Sequence, residues 1–183
     1  MDRAVLITGA SRGIGAAVAR RFAREGWRVG VNYRTSRGRA EALAAEIAAA
    51  GGQTALLPGD VSDPAQAAAL VRAAEEQLGP LDALVCNAGV ALPQQLLTDT
   101  TDEQWRQVMG VDLDGVFYTL RAAVPGFVRR QRGAIVTDRH MRTNQPEVYA
   151  AGDVNGRSML AHTAYREAEV AVNNMLGKRD VMR

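Results

Sequence analysis

A glycine-rich segment near the start of the chain has the residue types and spacing that suit phosphate binding. It reads Thr8-Gly9-Ala10-Ser11-Arg12-Gly13-Ile14-Gly15, and it follows an apolar run and opens a helical pattern. Glycine lets the backbone approach a pyrophosphate closely, and the free N–H groups at a helix start attract its charge. The alternative, a purely structural strand-helix turn, stays open. The segment predicts cofactor contacts from Gly9, Ser11, Arg12, Gly13, Ile14 and Gly15.

The charge at the end of the second predicted strand bears on which cofactor would bind. A site for NAD usually has an acidic residue there for the ribose hydroxyls. Here the sequence is Asn32-Tyr33-Arg34-Thr35-Ser36, without a carboxylate. The guanidinium of Arg12 or Arg34 suits a 2′-phosphate because it donates two hydrogen bonds at once. The sequence favours NADP(H) over NAD, the alternative being that both arginines are solvated surface residues.

Alternating strand and helix patterns must position these residues. Apolar runs predict strands at 4–8, 28–32, 53–57, 81–86, 133–137 and 148–151. Helical spacing predicts helices at 13–26, 36–50, 64–78, about 101–130 and 157–176. This alternation predicts an α/β fold: a three-layer, doubly wound, Rossmann-like parallel sheet of about six strands, in one domain over 1–183.

The long predicted helix at about 101–130 carries large apolar residues at helical spacing. We expect one common face to hold Trp105, Val108, Met109, Leu113, Val116, Phe117 and Leu120. Pro125 is expected to kink or end this helix because proline lacks the N–H that continues the hydrogen-bond ladder.

Residues 1 to about 136 resemble the N-terminal half of a short-chain dehydrogenase/reductase, close to the 3-oxoacyl-acyl-carrier-protein reductase type. The glycine-rich segment matches that family's phosphate turn, and Asp60-Val61 matches the pair that contacts the adenine ring. Asn87-Ala88-Gly89 matches the N-A-G after the fourth strand, and Val111-Asp112-Leu113 takes the place of V-N-L. The resemblance implies that the nucleotide site also includes Asp60, Val61, Asn87, Ala88 and Gly89.

The residues that do chemistry in that family are not matched. It reduces carbonyls with Asn, Ser, Tyr and Lys, the last two spaced Y-x-x-x-K so that the lysine charge acts on the tyrosine. Here Tyr165 is followed four residues later by Glu169, and the only lysine, Lys178, follows Asn174 at that spacing. Asp112 takes the asparagine position, and the fifth predicted strand continues into Asp138-Arg139-His140 where the family has its serine. The sequence predicts no catalytic residue and little or no turnover.

A second resemblance covers the last quarter of the chain. Residues 137–154 are similar to the late FAD-binding motif of pyridine nucleotide-disulfide oxidoreductases, with dihydrolipoamide dehydrogenases the closest type, and 155–183 to the helix that follows. It implies a close approach of Gly152 to FAD and ribitol contacts from Asp153. That family's dithiol is absent because Cys86 is the only cysteine. The two resemblances favour a chimera, with a reductase-like part at 1–136 and a flavin-motif part at 137–183.

The composition limits which classes of partner the chain is expected to bind. The net charge is +2 without a strong excess in either part, which predicts no nucleic-acid binding. No apolar run is long enough to span a membrane, and the first residues show no signal-peptide pattern, so a cytoplasmic location is expected. His140 and His162 have no partner constellation, and no metal site is predicted.

Three functions stay open, in order of preference. The first is an NADP(H)-binding reductase-like domain with little or no turnover. The second is a flavoprotein using Gly152 and Asp153, and the third is an engineered scaffold without activity. The helix at about 101–130 resembles one that pairs subunits in the reductase family, so the resemblance also leaves a homo-oligomer open.

Overall fold

Four parallel strands form the sheet of the first of two compact units. The computed structural model describes residues 3–130, 161–175 and 178–182. The chain divides into the units Met1–Arg129 and Arg130–Arg183. The strand order is β3-β2-β1-β4, with β1 Ala4–Ile7, β2 Arg28–Tyr33, β3 Thr54–Pro58 and β4 Ala83–Val85. All the pairings are parallel, as the strand-helix alternation predicts.

A helix follows each strand. Where proline or glycine marks the end of a helix, the bounds in the structure differ from the predicted bounds by at most two residues. They are α1 Gly13–Arg24, α2 Arg37–Ala49, α3 Pro64–Leu78, α4 Asp102–Met109, α5 Gly115–Arg130 and α6 Ala161–Met175. A 3₁₀ turn occupies Leu97–Asp99, and a π-helical turn, Gly110–Asp114, joins α4 to α5. No helix among the described residues has the length and apolar character needed to cross a bilayer.

The sheet is covered on both faces, which confirms the three-layer α/β class. On one face Leu6 and Leu57 pack in a cluster with α3 and with Phe127 of α5. On the other face Ile7 and Val31 pack in a cluster with α1 and α2. The predicted strands at 133–137 and 148–151 lie outside the described residues, and the single domain over 1–183 stays a prediction.

The π-helical turn divides the long predicted helix, and several of its large apolar residues are exposed. Trp105, Leu113, Phe117 and Leu120 are exposed. The side of α5 that packs inward carries Gly115, Thr119, Ala123 and Phe127. Close packing explains the choice of small residues, since a Cβ added to Gly115 would lie 2.8 Å from Val61 Cγ2. Pro125 does not end the helix, which continues to Arg130.

The described part of the second unit is α6 and a short segment after it. Arg166 and Asp180 form a bidentate ion pair at 2.7 and 3.0 Å, and Asn173 Nδ2 donates to Asp180 at 2.8 Å. The hydrogen bond from Arg166, together with that from Asn173, lowers the pKa of Asp180 to about 2. These contacts tie the segment after α6 back to the helix.

Candidate functional site

The glycine-rich turn lies at the carboxyl end of β1 and leads into α1. Gly9 and Gly13 have φ angles of 62° and 56°, a region that side chains disfavour. Gly15 has no room for a side chain, because an added Cβ would lie 2.5 Å from Asn87 Nδ2 and 2.7 Å from the Gly9 oxygen. The turn therefore needs glycine at these three positions for its own geometry.

Thr8 and Asn87 join the ends of β1 and β4. Thr8 Oγ1 accepts the N–H groups of Asn87 and Ala88 at 2.9 and 3.0 Å. The Asn87 Nδ2 donates to the carbonyls of Thr8 and Gly9 at 2.9 and 3.2 Å. The predicted segment Asn87–Gly89 is thus held against the glycine-rich turn.

On the other side of β1, Asn32 joins the end of β2 to the glycine-rich turn and to the end of β3. Its side chain is buried, and Nδ2 donates to the carbonyls of Leu57 and Gly59 at 3.0 and 3.1 Å. Its Oδ1 accepts the Gly9 N–H at 3.1 Å. The organising roles of Asn32 and Thr8 were not predicted from the sequence. The available signal was a polar side chain inside or directly after an apolar strand.

An exposed ion pair lies where β2 and β3 end. Arg34 Nη1 is 3.3 Å from Asp60 Oδ2. Partial burial alone would raise the pKa of Asp60, but hydrogen bonds from the hydroxyl and N–H of Ser62 and the charge of Arg34 outweigh it and lower that pKa. Asp60 therefore carries its negative charge next to the guanidinium.

These features surround one open cleft of about 390 Å³ at the carboxyl ends of all four strands. It is lined by most of the predicted contact residues: Gly9, Ser11, Arg12, Gly13, Ile14, Arg34, Asp60, Val61, Asn87, Ala88 and Gly89. Gly15 is the exception, since it lies against Asn87 and not among the lining residues. The other two, Gly152 and Asp153, lie outside the described residues.

Three of the residues that were compared with the reductase family's catalytic set, Tyr165, Glu169 and Asp112, lie among the described residues. Tyr165 is 80% exposed on α6, and Glu169 on the same helix binds Arg166 at 2.9 Å. Asp112 lies in the π-helical turn, and its Oδ1 accepts the Val90 N–H at 2.8 Å. Among the described residues, no group of three or more His, Cys, Asp or Glu side chains could hold a metal ion.

A glycine-rich turn between a parallel strand and a helix, beside a cleft at the strands' carboxyl ends, defines a nucleotide-binding protein of the Rossmann type. The family model for short chain dehydrogenases matches residues 3–175. The chain belongs to the short-chain dehydrogenase/reductase family.

Curated relatives match about three quarters of the chain. A 3-oxoacyl-(acyl-carrier-protein) reductase of Staphylococcus aureus is 38% identical over 136 residues, which are 74% of this chain and 55% of that protein. An L-rhamnose 1-dehydrogenase (NAD(P)(+)) of Azotobacter vinelandii is 40% identical over 139 residues, 74% of this chain and 54% of that one. The chain spans about half the length of these relatives.

Solved structures agree with the fold. A short chain dehydrogenase from Mycobacterium avium superposes with a TM-score of 0.65 at 37% identity, over 71% of this chain and 50% of that one. A blue fluorescent protein from a metagenomic library, in complex with NADPH, gives 0.63 at 36% identity, over 67% of this chain and 50% of that one.

The comparisons do not support the flavin resemblance. The family match continues to residue 175 and so includes most of the part at 137–183 that was likened to flavoproteins. A chimera and an FAD-binding segment are therefore interpretations for which these relatives supply no evidence.

Proposed function

We propose that the chain binds NADP(H) in the cleft and carries out little or no carbonyl reduction. The observation that carries the proposal is the complete glycine-rich turn at the start of α1, with its free N–H groups beside the cleft. The printed names of two relatives, an NADPH complex and an NAD(P)(+) dehydrogenase, support the nucleotide class.

The choice of NADP(H) over NAD(H) rests on the side chains at the β2 end of the cleft. Arg12 and Arg34 both line it. Asn32, near the end of β2, is buried and donates to backbone carbonyls. A 2′-phosphate would add negative charge beside two guanidinium groups, which favours its binding.

The proposed lack of turnover rests on three departures from the family's catalytic set. Glu169 stands where the family has its lysine, and Asp112 stands where it has its asparagine. The only lysine, Lys178, does not follow a tyrosine at the Y-x-x-x-K spacing. A carboxylate four residues after Tyr165 cannot supply the positive charge that assists proton transfer from a tyrosine. The flavin alternative rests on Gly152 and Asp153 alone, and no described contact favours it or the scaffold alternative.

Replacing Arg12 by alanine should weaken NADPH binding about tenfold to a hundredfold, since one charge-assisted contact to phosphate is lost. NADH binding should change little. Isothermal titration of both nucleotides measures the difference. The same wild-type sample should show no flavin band in its absorbance spectrum and no NADPH consumption with 3-oxoacyl thioesters.

The control variant is Arg21→Ala, which removes an exposed arginine of α1 that pairs with Glu25 outside the cleft. Its nucleotide affinities should equal those of the wild type. Equal loss of NADPH affinity in both variants would reject the assignment to Arg12. A wild-type protein that binds neither nucleotide would reject the cofactor proposal, and steady NADPH consumption would reject the lack of turnover.

We also propose that the exposed side of α5 pairs two copies of the chain. Five large apolar residues, one in the π-helical turn and four in α5, follow helical spacing and are 40–61% exposed: Leu113, Phe117, Leu120, Val124 and Val128. Such a contiguous apolar stripe is typical of a protein-protein interface. The resemblance to a subunit-pairing helix points to a second copy as the partner.

Phe117→Glu should convert the assembled protein to monomer, because it places a charge in the centre of the apolar stripe. Sedimentation velocity measures the change. The control is Leu97→Glu, which alters another exposed leucine, in the 3₁₀ turn, and should leave the assembly intact. A wild-type protein that sediments as a monomer at all accessible concentrations would disprove the pairing.

A further inference from the structure

Asp112 is exposed, and its carboxylate lies beside the wall of the cleft on the β4 side. Its Oδ1 accepts the N–H of Val90 at 2.8 Å and lies 3.6 Å from the position that a Cβ added to Gly89 would take. Gly89, Val90 and the neighbouring Val111 all line the cleft. No arginine, lysine or histidine of the described residues forms an ion pair with Asp112.

The strand order decides which half of a dinucleotide this carboxylate would face. In folds of this type the pyrophosphate lies at the glycine-rich turn after β1, and the adenosine ribose lies at the end of β2. Because β2 and β4 flank β1 on opposite sides, the other half of the dinucleotide extends toward β4. That half carries the nicotinamide ring, and the segment Asn87–Val90 lies at the end of β4.

The two redox forms of nicotinamide differ in charge. The oxidised ring carries one positive charge, and the reduced ring carries none. An uncompensated carboxylate on this side of the cleft attracts the oxidised ring and has no such attraction for the reduced one. Asparagine would accept the same hydrogen bond from Val90 and supply no charge.

We propose that Asp112 determines a preference for the oxidised cofactor, NADP⁺, over NADPH. The proposal rests on the cofactor proposal made above and adds a selectivity that the glycine-rich turn cannot provide. The turn contacts phosphates, which are the same in both redox forms. Only a group on the nicotinamide side can distinguish them.

The test measures the ratio of the Kd for NADP⁺ to the Kd for NADPH and compares this ratio between the wild type and its variants. Both constants are measured by isothermal titration of the intact chain. Asp112→Asn should raise that ratio about threefold to tenfold, the size expected for one unit charge acting through a partly solvated medium. Added KCl should move the wild-type ratio in the same direction by screening the carboxylate. The melting temperature of Asp112→Asn should stay near that of the wild type because the contact with Val90 is kept.

Two further variants separate charge from structure. Asp114→Asn removes an exposed carboxylate of the same π-helical turn and should leave the ratio unchanged. Asp112→Ala removes both charge and hydrogen bond, so it should shift the ratio as Asp112→Asn does and also lower the melting temperature. A folded Asp112→Asn variant with the wild-type ratio overturns the inference alone. A wild-type protein that binds neither nucleotide overturns the cofactor proposal and this inference together.

Discussion

Replacing Gly15 by alanine should lower the free energy of unfolding by about 1–3 kcal/mol, the usual cost of overpacking a close contact. The sign of this change is informative because helix propensity alone predicts the opposite: alanine is the better helix former by about 1 kcal/mol. Gly15 lies in the first turn of α1, and an added Cβ would come within 2.5 Å of Asn87 Nδ2, 2.7 Å of the Gly9 oxygen and 2.9 Å of Ala10 Cα. Two of these three atoms belong to the backbone, so relief requires the turn itself to move.

Gly38→Ala is the matched control. Gly38 also lies near the start of a helix, α2, but an added Cβ would meet no atom within 4 Å. This variant should gain up to about 1 kcal/mol of stability. Urea denaturation of both variants measures the two changes. A stabilised Gly15→Ala variant would show that the turn accepts a side chain, and the geometric account of the motif would then fail.

The same substitution tests how the turn serves the cofactor. If the turn moves to accommodate a Cβ at Gly15, the N–H groups at the start of α1 lose their alignment toward the cleft. We expect NADPH affinity to fall at least about tenfold, whereas Gly38→Ala should bind as the wild type does. Loss of stability without loss of affinity would assign Gly15 to the fold alone.

Local signals explain which elements the sequence predicts well. The bounds of α3 are predicted correctly because both its ends are encoded nearby. Pro64 occupies the first turn, Gly79 follows the end with a φ of 77°, and the Asp63 side chain accepts the N–H groups of Ala65 and Gln66. The glycine-rich turn is likewise a local feature, so its place between β1 and α1 follows from the residues themselves.

Packing explains what the sequence does not predict. Large apolar residues at helical spacing normally indicate the buried face, and in α5 they mark the exposed one. The buried face needs small residues because the helix approaches the segment after β3 closely, with Gly115 against Val61. That requirement depends on a partner more than fifty residues away in the chain and leaves no local periodic signal.

The site shows the same division between local and distant causes. The motif residues are evident from their spacing, but the residues that hold the motif in place are not. Thr8 bonds to a segment 79–80 residues away, and Asn32 to groups 23–27 residues away. The sequence identifies them only as polar residues at strand ends, where solvent exposure is the simpler expectation.

Asn32→Asp should therefore cause the second large loss, about 3–5 kcal/mol of folding free energy at neutral pH. The substitution is nearly isosteric but removes both hydrogens that Nδ2 donates to the carbonyls of Leu57 and Gly59. A buried carboxylate would then face two carbonyl oxygens, with only the Gly9 N–H as a donor. The loss measures how strongly this one side chain joins β1, β2 and β3.

The pH dependence separates this cause from a simple packing defect. Burial raises the folded-state pKa of the introduced carboxyl above its unfolded value. The unfolded chain then releases the proton at lower pH than the folded one, so the deficit relative to the wild type grows as pH rises and shrinks toward about pH 4.5. Asn87→Asp, at a half-buried site with the same two-carbonyl pattern, should lose less at every pH. A deficit for Asn32→Asp that stays constant between pH 4.5 and 7.5, a range that lies above the usual pKa of an aspartate carboxyl, would contradict the electrostatic explanation.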